Sequence, residues 1–212
     1  MHIPDGFLSV ATVASTCVVS AGGIGNAVRV ANSKLGEKHV PLMGVLAAFI
    51  FAAQMLNFPI AGGTSGHLIG AALAAILLGP WASVLIMSCV LIAQCLIFQD
   101  GGLLALGANI FNMGIIASFS SYYLYRGVTS FLGGNGRSKL IGGFIAAWGS
   151  VFLASIACAI ELAVSGTSPL AVVLPAMAGF HALIGVGEGL ITAGVLSFVA
   201  VTRPDLLQLQ RI

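Results

Sequence analysis

The stretch Asn57-Phe58-Pro59-Ile60-Ala61-Gly62-Gly63-Thr64, followed by the apolar run 65–78, decides how the chain is built. A run of about 14 residues, at a rise of ~1.5 Å each, reaches only ~21 Å. That is short of a bilayer core about 30 Å thick. The segment before it is too apolar for an aqueous loop and too rich in Pro and Gly for a helix. Irregular backbone survives at membrane depth only where protein buries it or where it lines a cavity. The stretch therefore predicts a polar-lined cavity near residues 57–67.

Six longer apolar runs flank it, approximately at 8–30, 40–56, 81–98, 104–124, 140–163 and 172–201. Together they predict an all-α, polytopic membrane protein of seven transmembrane helices, a single integral-membrane domain over 1–212. Composition agrees: the chain is 58% hydrophobic and 7% charged, with mean hydropathy +1.08, where a soluble domain carries about 25% charged residues. A surface so poor in charge excludes a soluble enzyme and a secreted disulfide scaffold. The net charge of +2 is too small for a nucleic-acid footprint. Cys17, Cys89, Cys95 and Cys158 all lie in apolar runs without a C-x-x-C pair, and read as small buried hydrophobes.

The basic residues set the orientation. Arg29, Lys34, Lys38, Arg126, Arg137, Lys139, Arg203 and Arg211 fall on one side of a seven-span chain, and the opposite side has none. The positive-inside rule places the N-terminus outside and the C-terminus in the cytoplasm. The first apolar run has no basic segment before it, so it predicts an uncleaved span. His2 is too large to favour removal of the initiator, and Met1 is expected to keep a free amine.

Of the four histidines, His39 falls on the cytoplasmic side, His2 and His67 on the outer side. His181 lies inside the last span, where an ionisable group suggests function; a buried hydrogen-bonded pair with Glu188 explains it equally well. His2 is the most informative. The α-amine, the amide nitrogen of residue 2 and the imidazole Nδ1 can close two fused chelate rings around one ion. They are naturally coplanar and leave one in-plane position, which His67 can fill. Such a nitrogen square favours Ni(II) or Cu(II) over tetrahedral Zn(II). Against this stands a frayed terminus whose histidine does nothing. Asp5, Asn57, Thr64, Ser65, Gln94 and Asp100 are polar groups on the same side, of the kind that orient ligating imidazoles.

Several blocks resemble the substrate-binding (S) subunits of energy-coupling-factor (ECF) cobalt and nickel transporters, the CbiM/NikM family. They are Met1-His2-Ile3-Pro4-Asp5-Gly6-Phe7-Leu8, the stretch from Asn57 through His67-Leu68, Leu77-Leu78-Gly79-Pro80-Trp81, Phe98-Gln99-Asp100-Gly101-Gly102-Leu103, Leu106-Gly107-Ala108-Asn109-Ile110-Phe111-Asn112-Met113-Gly114, and Gly187-Glu188-Gly189-Leu190-Ile191-Thr192. The resemblance implies seven transmembrane helices whose first inserts the N-terminus into the centre. It also implies a metal site of Met1, His2 and His67, with Asp5, Asn57, Ser65 and Gln94 around it. The implied role is capture of Ni2+, or of Co2+, as transported ligand and not as cofactor, in the prokaryotic inner (cytoplasmic) membrane.

The chain has no G-x-x-x-x-G-K-[ST] string; Gly133-Gly134-Asn135-Gly136-Arg137-Ser138-Lys139 is the nearest. It cannot hydrolyse ATP through a P-loop. The resemblance therefore implies partners: a transmembrane coupling (T) subunit, cytoplasmic ATPase subunits and a small accessory membrane subunit. Ala14, Ala21, Gly22 and Gly25 give the first span a small-residue face suited either to a partner or to packing within the subunit. Two rival readings remain. Gly63-Thr64-Ser65-Gly66 matches a rhomboid-type G-x-S-G string, with His181 as a base for an intramembrane serine protease. A stand-alone secondary metal permease is the other, although only Glu161 and Glu188 are carboxylates within spans.

Overall fold

The computed structural model describes residues 1–37, 39–208 and 212, and in it the chain is predominantly helical. The helices are α1 (Val10–Lys34), α2 (His39–Gln54), α3 (Ala71–Leu78), α4 (Pro80–Phe98), α5 (Leu106–Asn109), α6 (Ala117–Phe131), α7 (Gly136–Val164) and α8 (Leu170–Thr202). A π-helical stretch, Ile110–Ile116, joins α5 to α6 with helical backbone angles at both junctions, so the three form one rod. Among the described residues, α1, α4, α7 and α8 are long and apolar enough to cross a membrane; α2 is apolar but shorter. Local signals set their ends: Ser9 and Asn135 accept from the backbone N–H of Thr12 and Ser138, as N-caps do, and Pro80 opens α4 where its missing N–H costs nothing.

The helices pack as a bundle with α7 between α6 and α8, α3 against α4, α6 and α7, and α1 against α4 and α5. Glycines allow close approach along α7–α8. A Cβ on Gly189 would meet the Phe144 ring at 2.6 Å, and one on Gly185 would meet Trp148 at 3.0 Å. On α1, by contrast, Ala14, Ala21, Gly22 and Gly25 are all exposed, and Gly22 and Gly25 have nothing near them. That face does not serve packing within the subunit.

The decisive stretch differs from the sequence reading in one respect. The helix starts at Ala71 and not at residue 65. The residues before it form a small antiparallel hairpin of β1 (Phe58–Pro59) and β2 (Ser65–Gly66), paired Phe58 to Gly66 and Pro59 to Ser65. Gly62, at φ +76°, makes the turn that a side chain would strain. A Cβ on Gly66 would strike the Phe58 ring at 2.9 Å. All eight residues of α3 are buried, so the short helix lies inside protein, as membrane depth demands. Of the stretch before it, Gly66, His67 and Ile69 are buried, while Asn57, Phe58, Pro59, Ala61 and Gly62 are exposed, so the far end of the hairpin does not meet the expectation of buried irregular backbone.

Side chains from two helices hold this passage. The Glu188 carboxylate accepts the N–H of Ile69 at 2.5 Å and of Gly70 at 2.9 Å, and Gln54 Nε2 donates to the Ile69 carbonyl at 2.6 Å. A buried helix start without such partners would leave orphan donors. This corrects the expected His181–Glu188 pair: Glu188 anchors α3, while His181 Nδ1 contacts the Met177 carbonyl of its own helix at 2.8 Å. Two further corrections concern position. Cys17 and Cys89 are exposed and only Cys95 and Cys158 buried, since an apolar side chain at a lipid-facing surface has no need of the interior. Arg126 sits on α6, which runs past the expected end of its span. Lys38 and Arg211 lie outside the described residues.

Candidate metal centre

The first residues do not fray. Met1, His2 and Ile3 are buried, at 0%, 5% and 0% exposure, and the segment is held in the bundle by its backbone. Asn109, at the edge of the π-helical stretch, clamps Ile3. Its Oδ1 accepts the Ile3 N–H at 2.8 Å and its Nδ2 donates to the Ile3 carbonyl at 3.1 Å. π-turns recur where a helix must re-aim a side chain at a site. The Asp5 carboxylate accepts from the backbone N–H of Leu103, Leu104 and Ala105, tying the segment to the loop before α5. Gly101, at φ +90°, leaves room for the His2 ring and Asn109, which a Cβ there would meet at 3.4 and 3.0 Å.

The hairpin brings Ser65 and His67 to the same point. Ser65 Oγ accepts from the Met1 amine and from the His2 amide, both at 3.0 Å. His67 Nε2 lies 2.5 Å from the Met1 nitrogen. The His2 and His67 rings stack at 4.5 Å between centroids, tilted by 26°. In a chelate formed by the amine, amide and Nδ1 of residues 1 and 2, the open in-plane position adjoins both the amine and Nδ1. His67 Nε2 stands beside the amine, and its ring lies against the His2 ring.

Each imidazole has an oxygen acceptor on one ring nitrogen. The His67 Nδ1–H donates to the Leu68 carbonyl at 2.7 Å, leaving a lone pair on Nε2. The His2 Nε2–H donates to Gln94 Oε1 at 3.0 Å, leaving a lone pair on Nδ1, which is buried without a hydrogen-bond partner. A remote N–H fixed in this way is the usual outer support of a ligating histidine. Burial lowers the Met1 amine to about 5. Burial and then the adjacent amine lower His2 to about 3. At neutral pH both are uncharged donors.

Of the expected surrounding groups, Ser65 and Gln94 touch the donors directly. Asp5 positions the segment. Asn57 acts at one remove, donating at 2.9 Å to Asp100, whose carboxylate lies 3.4 Å from His2 Nδ1. Thr64 faces away, toward Cys158 and Met177 at 3.9 Å each. Asn109 was not among the expected site residues; its signal was a polar amide in an otherwise apolar run. Among the described residues no three His, Cys, Asp or Glu side chains converge as a metal site. The nitrogens gathered here come partly from backbone. The protease reading loses its dyad, because Ser65 receives two N–H donors and His181 bonds its own helix.

A buried cluster of nitrogen donors inside a membrane-embedded helical bundle is an arrangement suited to a transition-metal transport protein. Residues 2–206 match the CbiM family, described as the cobalt uptake substrate-specific transmembrane region, and the chain belongs to that family. A fused NikMN protein of Archaeoglobus fulgidus, provisionally named for nickel transport, is 46% identical over 210 residues, covering 98% of this chain and 68% of that protein. The fused nickel transport protein NikMN of Rhodobacter capsulatus is 35% identical over 225 residues, covering 100% of this chain and 65% of its own length. The chain thus spans about two thirds of these fused relatives. A crystal structure of a truncated transition metal transporter superposes with TM-score 0.87 at 38% identity, covering 94% of this chain and 98% of that one. The relatives are transport proteins and not enzymes, and the metals they are named for are cargo.

Outer-shell partners of ligating histidines typically contribute 10–100-fold in affinity. Replacing Gln94 by Leu removes the acceptor that fixes the His2 tautomer. Ni(II) affinity is expected to fall by about 10–100-fold with the fold retained, measured by competition against a chromophoric chelator and by thermal unfolding.

Proposed function

We propose that the chain is the capture subunit of an ECF transporter, binding Ni2+ in preference to Co2+ on the outer side of a prokaryotic cytoplasmic membrane. It would cross the membrane seven times, with the N-terminus outside and the C-terminus inside. Its donors are the Met1 amine, the His2 amide and Nδ1, and His67 Nε2. One observation carries this reading: each imidazole has an oxygen acceptor on one ring nitrogen, and the other nitrogen of His67 lies 2.5 Å from the buried Met1 amine.

The chemistry follows from the donors. The amine and imidazoles are neutral when the ion arrives, so only the His2 amide must lose a proton. Ser65 Oγ accepts that N–H; the ion would take the proton's place on the nitrogen, so this hydrogen bond must be given up on binding. The amidate supplies one negative charge against the ion in a setting where charge is costly. The planar arrangement favours Ni(II); Cu(II) would bind more tightly still by the Irving–Williams order, so selection against copper rests partly on its availability and on the rigidity of the site.

One proton released per ion fixes the pH dependence. With the amine at about 5 and His2 at about 3, affinity should rise about tenfold per unit between about pH 6 and 8. A twofold steeper logarithmic slope in a pH series of titrations would mean that the amine is charged at neutral pH.

Energy must come from partners: a transmembrane coupling subunit and ATPase subunits, with a small accessory membrane subunit. The test is uptake by sealed vesicles carrying this chain, with and without those subunits. ATP-dependent nickel entry that requires the ATPases is expected. Entry through the chain alone, driven by an ion gradient, would favour the permease reading.

A further inference from the structure

Directly behind the terminal nitrogens lies a second set of donors that the capture site does not use. Thr64, the residue before Ser65, has its hydroxyl 3.9 Å from Cys158 Sγ on α7 and 3.9 Å from Met177 Sδ on α8. A Cβ on Gly63 would meet Met177 Sδ at 2.5 Å, so this sulfur presses on the backbone of the same hairpin. His181, one turn beyond Met177 and on the same face of α8, has Nδ1 on the Met177 carbonyl at 2.8 Å. Its Nε2 is buried with no hydrogen-bond partner. All three side chains are 0% exposed.

A buried imidazole nitrogen left without a partner is costly and calls for a ligand. Met177 lies one turn away on the same helix face, and its thioether and the Cys158 thiol, each 3.9 Å from the Thr64 hydroxyl, are metal donors and poor hydrogen-bond partners. We propose that Cys158, Met177 and His181 form a second, transient metal site that takes the ion from the terminal chelate on its way inward; this rests on the capture reading above. The exchange balances. The bond from the ion to the His2 amidate breaks as one to the Cys158 thiolate forms, and the thiol proton ends on the amide nitrogen. The ion keeps its oxidation state and one anionic donor throughout. No net charge is created in the low-dielectric interior, where an uncompensated charge is expensive. A sulfur-rich set with one nitrogen also lacks the planar constraint that holds Ni(II) outside, which suits a site that must let go.

The test uses the full chain at native length with Co(II) as the probe. His2→Gln removes an outer donor while keeping the terminal segment, and the titration follows the near-ultraviolet thiolate-to-cobalt charge-transfer band. The band is expected in His2→Gln and is expected to be lost in His2→Gln with Cys158→Ser, the other three cysteines being retained. Thermal unfolding checks that both variants are folded, and Met177→Leu, close in volume, should weaken the band without loss of stability. No band in His2→Gln, or one that survives Cys158→Ser, overturns the second site. The capture reading fails by a different observation: Ni(II) binding to the unmodified protein without a planar d–d spectrum, which would take the second site down with it.

Discussion

One extra residue ahead of Met1 is expected to lower Ni(II) affinity by on the order of 10⁴-fold or more. Metal-site binding energies of about 10–16 kcal/mol spread over four donors give roughly 3 kcal/mol per donor, and each 1.4 kcal/mol is tenfold. The extension removes the amine and shifts His2 out of the two fused rings, so at least two donors are lost together. The structure adds a second cost. Met1 is fully buried and its nitrogen lies against Ser65 and His67, so an added residue has no room and must draw the segment out. A competition titration of native and extended proteins measures the loss; equal affinities would place the ligands elsewhere.

His67→Gln separates ligation from insertion. Glutamine is near in size and leaves the chain start intact, yet removes the nitrogen 2.5 Å from the amine. Affinity should fall about 10²-fold, the worth of one donor. The d–d spectrum should shift as water or the amide oxygen takes the vacated position. Combining His67→Gln with the extension should weaken binding little beyond the extension alone, because donors of one site are not additive. If His67→Gln binds as the native chain does, the fourth position belongs to another group, and His181 with its free Nε2 is the first to consider.

How much of this was legible in the sequence depends on the range of the interaction. Span arithmetic on residues 57–78 located an irregular passage followed by a short buried helix, because bilayer thickness and helix rise are fixed lengths; the first residues of that passage are exposed. It misplaced the start of α3, because Gly66-His67-Leu68-Ile69-Gly70 is apolar enough to extend a span. What keeps it extended is held from elsewhere, by Glu188 and Gln54. The chelating capacity of His2 is covalent chemistry and was readable locally. Its meeting with His67 joins groups 66 positions apart; the open coordination position allowed it, and the resemblance implied it. The tautomer supports were less visible still. Gln94 was named as a neighbour, but the Leu68 carbonyl is backbone and carries no residue signature. Asn109 acts through a π-turn that no propensity announces.

X-ray absorption at the nickel edge of the loaded native protein tests the central claim most directly. The account predicts four nitrogen neighbours at a single short distance and the pre-edge feature of a planar, four-coordinate Ni(II) ion. A six-coordinate shell of oxygen and nitrogen, or sulfur in the first shell of the resting protein, would contradict it.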